Sequence, residues 1–361
     1  MIYLDYQATT PLAPEAREAM LPWLGGPESD GFGNPHSPHR YGRQAAAAVE
    51  VAREQVAALF PAGGQVVFTA SATEALNLAM RGCDAVRAGR GVAVSAIEHA
   101  AVWDTAEDLP NPRHVIPVDA EGLVDPALAV PEGTGLVAVM HVNNEIGTIQ
   151  PMAAIARVSR AAGALLLCDA VQSAGKLPVV DADMIAVSAH KFYGPKGIGA
   201  LWVRDGIGLT PLITGGGQEG GLRSGTLSPA LCTGFGAAAR LAVDLMEEDR
   251  AHVASLWNRA RELFDGWILN GSASQRWHGN LNLRRDGLDV ARLMSDVRTV
   301  AFSAGSACAS GSGKPSRVLQ AIGLSDRYAK TSIRLGFGRY TGIEDLEKAA
   351  AAIVAAAREQ G

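Results

Sequence analysis

Between Gln65 and Val203 six short apolar runs, QVVFTA, GVAVSAI, GLVAVMHV, ALLLCDA, MIAVSA and GALWVR, alternate with alanine-rich stretches, and this alternation constrains the fold more than any other feature of the chain. The runs are strand-length and rich in β-branched residues, while the pieces between them suit helices. Such a pattern predicts an α/β domain with a mostly parallel sheet, whose ligands gather where loops leave the carboxyl ends of the strands. A glycine cluster, Gly215, Gly216, Gly217, Gly220 and Gly221, follows. Beyond it one long helical segment is predicted from about Pro229 to Leu263. The remainder, with short strands near GNLNLRR, TVAFSA and SIRLGF and helices near DVARLMSDV and DLEKAAAAIVAAAREQ, reads as a smaller α+β domain. The division expected is residues 15–240 for the large domain and 1–14 plus 241–361 for the small one.

Composition narrows the function. With 361 residues, 48% hydrophobic and 19% charged, the chain is globular and long enough for a large core plus a satellite domain. Its 32 Lys and Arg against 37 Asp and Glu give a net charge of -5, so bulk electrostatics argue against a nucleic-acid partner. No apolar run approaches the roughly 18 residues of a membrane span, and Asp5 interrupts the N-terminus before the apolar region of a signal peptide, so the expected location is the cytoplasm. Four cysteines, Cys83, Cys168, Cys232 and Cys308, form no CxxC pair and no metal-site spacing; they read as reduced thiols, and no metal is expected.

The chemistry-bearing residues cluster after the predicted strands. In SAHKFYGPKGIGALWV, Lys191 sits at a strand end beside Ser188 and His190. An amine whose pKa is lowered by burial and neighbouring dipoles is a natural Schiff-base former; in isolation a solvated loop lysine is the plainer reading, and the flanking Ser188 and His190 turn it toward chemistry. Upstream, Asp169 ends the apolar run ALLLCDA. A buried carboxylate demands a cationic or hydrogen-bonding partner, and a pyridine ring used as an electron sink needs just such a group at its nitrogen. Gln172 is placed to reach a phenolic oxygen of that ring. Asp169 as a helix N-cap is the plainer alternative.

In VVFTASATEALN, residues Ser71, Ala72 and Thr73 stand between a strand and an amphipathic helix, an arrangement suited to phosphate but also to an ordinary N-cap. Neither GxxxxGK[ST] nor a GxGxxG after a strand occurs, so no nucleotide loop is indicated. His99 in EHAAV can stack on an aromatic ring or serve structure, and Asn144 in HVNNEIG can donate to a cofactor or carboxylate oxygen without adding charge. Cys308 lies in SAGSACASGSGKPSRVL, a composition that cannot pack a core, and a cysteine there reads as a nucleophile on a mobile loop. Downstream, Arg334 and Arg339 offer planar forks for a carboxylate, or for structural salt bridges.

Taken in order, YLDYQATTPLAPEA, GNPHSPHRYGR, FTASATEALN, EHAAV, NNEIGTIQP, CDAVQSAGK, SAHKFYGPKGIGALWV, GGGQEGGLRSGT, GSACAS and SIRLGFGRYT resemble the class V aminotransferase family of fold type I pyridoxal-phosphate enzymes, and within it the cysteine desulfurases of the NifS/IscS kind. The resemblance implies a mostly parallel seven-stranded sheet and pyridoxal 5'-phosphate joined to Lys191. It places Asp169 at the ring nitrogen, Gln172 at the phenolic oxygen and His99 on the ring face. Thr73, Ser188 and His190 match phosphate ligands, and Thr226 matches the one that reaches the phosphate of a partner subunit, which implies a homodimer. Asn144 and Arg334 match the holders of the substrate carboxylate, and Cys308 the catalytic thiol. The implied reaction converts L-cysteine to L-alanine and leaves a persulfide on Cys308 for an acceptor such as an iron-sulfur scaffold protein. A selenocysteine lyase, another β-eliminating or transaminating enzyme, and a scaffold without chemistry are the alternatives. Two departures stand out: DYQATTP, with Tyr6 and Gln7, where DNAATTP is usual, and Gly336 with Phe337 where serine and a smaller aliphatic are more common.

Overall fold

A computed structural model of the chain describes residues 1–305 and 316–360. Thirteen strands occur among the described residues, the first being β1 (Ile2–Tyr3). Seven more, β2 (Gly64–Thr69), β3 (Gly91–Ser95), β4 (Arg113–Ile116), β5 (Thr134–Met140), β6 (Leu165–Asp169), β7 (Met184–Ser188) and β8 (Gly199–Arg204), build one sheet in the order β2-β8-β7-β6-β5-β3-β4. Strand β8 runs antiparallel to both neighbours, and the remaining pairs are parallel. Strands β3, β5 and β7 are buried at every position, as their uninterrupted apolar runs require when helices cover both faces. Strand β4, RHVI, was not among the expected runs: it lies at the sheet edge with Arg113 and Val115 exposed, and Ile116, its one buried residue, is too little to signal a strand.

The second sheet is small and antiparallel. Strands β9 (Ile268–Leu269), β10 (Asn280–Arg284), β12 (Ser303–Ala304) and β13 (Ser332–Gly336) take the order β12-β13-β10-β9, while β11 (Val300–Ala301) pairs with β1. The run TVAFSA is therefore two short strands rather than one. A core of its own, including Leu4, Leu281, Ile333, Leu335, Phe337 and Ile353, packs beneath this sheet against the helix Ile343–Arg358. The long helix expected from Pro229 to Leu263 is broken: helices Pro229–Asp244 and Met246–Leu263 meet at Leu245, whose ψ of 8° leaves the helical region. Among the described residues, no helix is long and apolar enough to cross a membrane.

Candidate active site

Five of the parallel strands end on one side of the large sheet, and the segments leaving them converge on a cavity of about 340 Å³, within the size range of small-molecule sites. Its lining includes Ser71 and Thr73 after β2, His99 after β3, Asn144 after β5, Asp169 and Gln172 at the end of β6, and Ser188, His190 and Lys191 after β7. Arg334 reaches the same cavity from β13. The residues singled out in six separate motifs thus stand around one space. Thr226 is exposed and stands outside this cavity; the resemblance assigns it to the site of a second subunit instead. Cys308 lies outside the described residues.

Lys191 closes a single 3-10 turn, Ala189–Lys191, immediately after β7. The chain then turns sharply through Tyr193, a non-glycine residue held at φ 71° by a 2.7 Å bond from its amide to Thr10 Oγ1. The Lys191 amine donates to the carbonyls of Gln7 at 2.8 Å and Ala8 at 2.9 Å. Residues 5–10 form a strap across the site: Thr10 binds the His190 carbonyl through its amide and hydroxyl, Thr9 Oγ1 is 3.0 Å from His190 Nδ1, and the Gln7 carbonyl also accepts from Gln172 Nε2 at 3.0 Å. None of these roles was expected from the sequence. Their signal was present in the departure at Gln7 and in the paired threonines of QATT, but main-chain acceptors leave no trace in residue type.

Asp169 is 4% exposed, and its Oδ1 accepts the Val171 amide at 2.9 Å. The chain leaves it through a series of turns rather than a helix, so the N-cap alternative does not apply. Burial pushes its carboxyl above the usual range; the charges of His99 and Lys191 and the Val171 amide pull it back. His99 does serve structure, capping the helix Ala100–Asp108 with Nδ1 accepting from the Ala101 amide at 3.1 Å. In the neutral ring the proton then sits on Nε2. Ser71 caps the helix Ala72–Gly82, its side chain accepting from the Glu74 amide while Glu74 Oε2 accepts from the Ala70 amide, so the turn is an N-cap, and it stands at the cavity.

The two arginines separate cleanly. Arg339 is engaged by Asp249 through Nε at 2.9 Å and Nη2 at 2.7 Å and stacks on Tyr193, a structural role. Arg334, 1% exposed, donates to Asp5 Oδ1 at 2.7 Å and to the Asn144 carbonyl at 3.1 Å, while its Nε has no partner. The sequence departures are also neighbours: a β-carbon on Gly336 would overlap the Gln7 side chain, and one on Gly338 would overlap the Tyr6 ring.

Behind the cavity lies a carboxyl that the sequence did not expose. Glu98 is buried, accepts from the Met140 amide at 2.8 Å and from Ser95 Oγ, and keeps Oε2 unpartnered. Burial pushes it up to about 8, reinforced by Asp169. His190 moves the other way, down to about 4, because burial and then Lys191, Lys196 and Lys176 oppose its charge. The three described cysteines, Cys83, Cys168 and Cys232, are all buried, and burial raises each thiol, that of Cys232 to about 12. None of them suits a nucleophile.

The donor set fits pyridoxal phosphate. At one side stands a buried carboxylate lacking a full counter-charge, which a protonated ring nitrogen supplies. The first turn of an eleven-residue helix with Thr73, and Ser188 nearby, offers donors to a phosphate. Between them is an amine able to bond an aldehyde carbon.

The aminotransferase class-V profile matches residues 2–349. The chain is 41% identical to the cysteine desulfurase IscS of Rickettsia bellii over 96% of its length and 89% of that protein. It is 43% identical to the IscS of Shewanella denitrificans, over 96% and 90%. A solved NifS-like protein superposes with a TM-score of 0.88 at 30% identity, covering 98% of both chains, and SspA in complex with cysteine does so at 0.83 and 34%, covering 95% of this chain and all of that one. With the seven-stranded sheet, the cavity at its carboxyl edge and these likenesses agreeing, the chain belongs to the class-V aminotransferase family, among its cysteine desulfurases of the IscS and NifS kind.

Proposed function

We propose that this protein converts L-cysteine to L-alanine and passes the sulfur, as a persulfide on Cys308, to an acceptor protein such as an iron-sulfur scaffold. The observation that carries the reading is the convergence of Lys191, Asp169 and Arg334 on one cavity. Lys191, Asp169, Gln172, His99, Thr73, Ser188 and His190 hold pyridoxal phosphate, with Asn144 beside them and Thr226 serving the second subunit of a homodimer. Residues 15–240 form the cofactor-binding domain, and residues 1–14 with 241–361 the smaller one. When bound, that group supplies an electron sink for the charge released at the substrate's Cα.

Arg334 orients the substrate by its carboxylate, for which the unpartnered Nε leaves donor capacity, and Asn144 assists without adding charge. The Lys191 amine takes the α-proton and later returns a proton to the substrate. Burial raises the Asp169 carboxyl and so favours a cation beside it, and Asp169 would hold a proton at the ring nitrogen. His99 would cover the ring face and keep water away. The Cys308 thiolate attacks the substrate sulfur: the S–S bond forms, the Cβ–S bond breaks, and Cβ takes a proton. The products are alanine and an enzyme persulfide, so no external oxidant is needed. Three buried, raised thiols elsewhere favour Cys308 for this step.

A coupled assay tests the reading. Alanine and persulfide should form in equal amounts from L-cysteine, and Cys308→Ala should abolish both. Pyruvate in place of alanine, or sulfide release at the native rate by Cys308→Ala, would contradict it.

A further inference from the structure

Gln7 occupies the space in which a side chain on residue 336 would stand. Side chains alternate along a strand, so residues 334 and 336 of β13 share a face, and on that face Arg334 reaches the cavity. A β-carbon on Gly336 would overlap Gln7 Oε1 and approach the Tyr6 amide nitrogen to 2.6 Å. The Gln7 carboxamide is fastened beyond this point: Nε2 donates at 2.6 Å to the Gly279 carbonyl, which also accepts the Phe337 amide at 2.8 Å. Its Oε1 is buried without a hydrogen-bond partner, a cost that a merely space-filling side chain would not incur.

The main chain of the same residue faces the large sheet. The Gln7 carbonyl accepts from Lys191 Nζ at 2.8 Å and from Gln172 Nε2 at 3.0 Å. Two residues earlier, Asp5 Oδ1 accepts from Arg334 Nη2 at 2.7 Å. One strap therefore touches the amine and the guanidinium; it is fastened to the small sheet by the Gly336 amide on the Leu4 carbonyl at 2.8 Å and, beyond that, by a side chain that fits only because residue 336 has none.

We propose that Gln7 is a positioning residue for the desulfurase reaction. Its carboxamide, packed against the bare backbone of Gly336 and bonded to the Gly279 carbonyl, fixes residues 5–8 against the small sheet and thereby sets the separation of the Lys191 amine from the Arg334 guanidinium. This rests on the function proposed above.

The test is a double-mutant cycle on the full-length protein loaded with pyridoxal phosphate: Gln7→Ser, Gly336→Ser and the double variant. Its readouts are KM and kcat for L-cysteine, the pH midpoint of the bound cofactor's visible absorption, and the Tm of the cofactor-free protein. Gly336→Ser should raise KM about tenfold with a smaller change in kcat, and should move the absorption midpoint by roughly half a pH unit. The double variant removes the overlap but also the bond to Gly279, so it should recover part of both changes relative to Gly336→Ser and match Gln7→Ser. A double variant no better than Gly336→Ser, or a Gly336→Ser protein with wild-type KM and midpoint, would overturn the proposal. If Gly336→Ser does not fold, Gln7→Ala decides: an unchanged KM and midpoint overturn the proposal, and a shift in both supports it. Should wild type form no alanine, the functional reading fails separately, and the absorption midpoint across the cycle still decides the positioning role.

Discussion

The amine of Lys191 lies 2.8 Å from the carbonyl oxygen of Gln7, a residue 184 positions away in the chain. With the Ala8 carbonyl at 2.9 Å, it has two main-chain acceptors on the strap. Bonding to an aldehyde carbon requires that a proton leave and that these contacts be exchanged. The strap therefore stores the amine at the edge of the cavity in a defined place, which is what a reaction at one substrate carbon needs.

Replacement of that amine should be decisive for turnover and mild for folding. Lys191→Ala is expected to lower alanine formation by at least about 10³-fold, with far-ultraviolet circular dichroism unchanged. Steady-state assay of alanine measures the first, and the spectrum the second.

Arg334 and Arg339 should fail in different ways. Arg334→Lys loses the planar fork at the cavity, and KM for L-cysteine should rise at least about tenfold. Arg339→Ala leaves Asp249 buried without its partner and should cost about 3–5 kcal/mol of stability, with KM near wild type. Denaturant unfolding and initial-rate kinetics on both variants distinguish the two outcomes.

Asp169 links function to stability with opposite signs. Its folded carboxyl is pushed above the ordinary value by burial, so in the cofactor-free protein the stability it contributes is fully present at low pH and is lost as pH rises through the raised value. Asp169→Asn should therefore give a cofactor-free protein at least as stable as wild type at pH 8, while alanine formation falls about 10²-fold or more. Thermal unfolding of the cofactor-free forms, beside kinetics of the loaded ones, measures both.

Glu98 makes a pH prediction of the same sign. Burial lifts it from the ordinary 4.5 to about 8, so the native state keeps a proton that the unfolded chain has released. Stability should fall as pH climbs from about 4.5 to about 8, by an amount on the order of a few kcal/mol, and Glu98→Gln should flatten that decline. Urea titrations at pH 5 and pH 8 check it: equal slopes with pH in the two proteins would contradict the assignment.

The apolar runs made the central sheet legible because β3, β5 and β7 are covered on both faces and carry their burial in every residue. Edge strand β4 was not legible, since half of it faces water. The break at Leu245 has no glycine or proline to announce it. Lys191, Asp169, His99, Asn144 and Arg334 could be picked out as candidates, and they line one cavity, because polar side chains that end or interrupt apolar runs stand out in sequence. Arg339 could not be told from Arg334 until Asp249, 90 residues away, was seen beside it. The carbonyls of Gln7 and Ala8 are invisible in sequence, because any residue carries one. Glu98 stands next to His99, yet only the tertiary burial of its carboxyl distinguishes it.

Borohydride reduction of the loaded protein, followed by peptide mass mapping, tests the central claim most directly. A second buried amine, Lys176, is lowered by burial to about 7 and is the natural competitor. The account predicts that the reduced pyridoxyl-phosphate adduct is found on the peptide containing Lys191 and is absent in Lys191→Ala; an adduct on Lys176, or none at all, would contradict it.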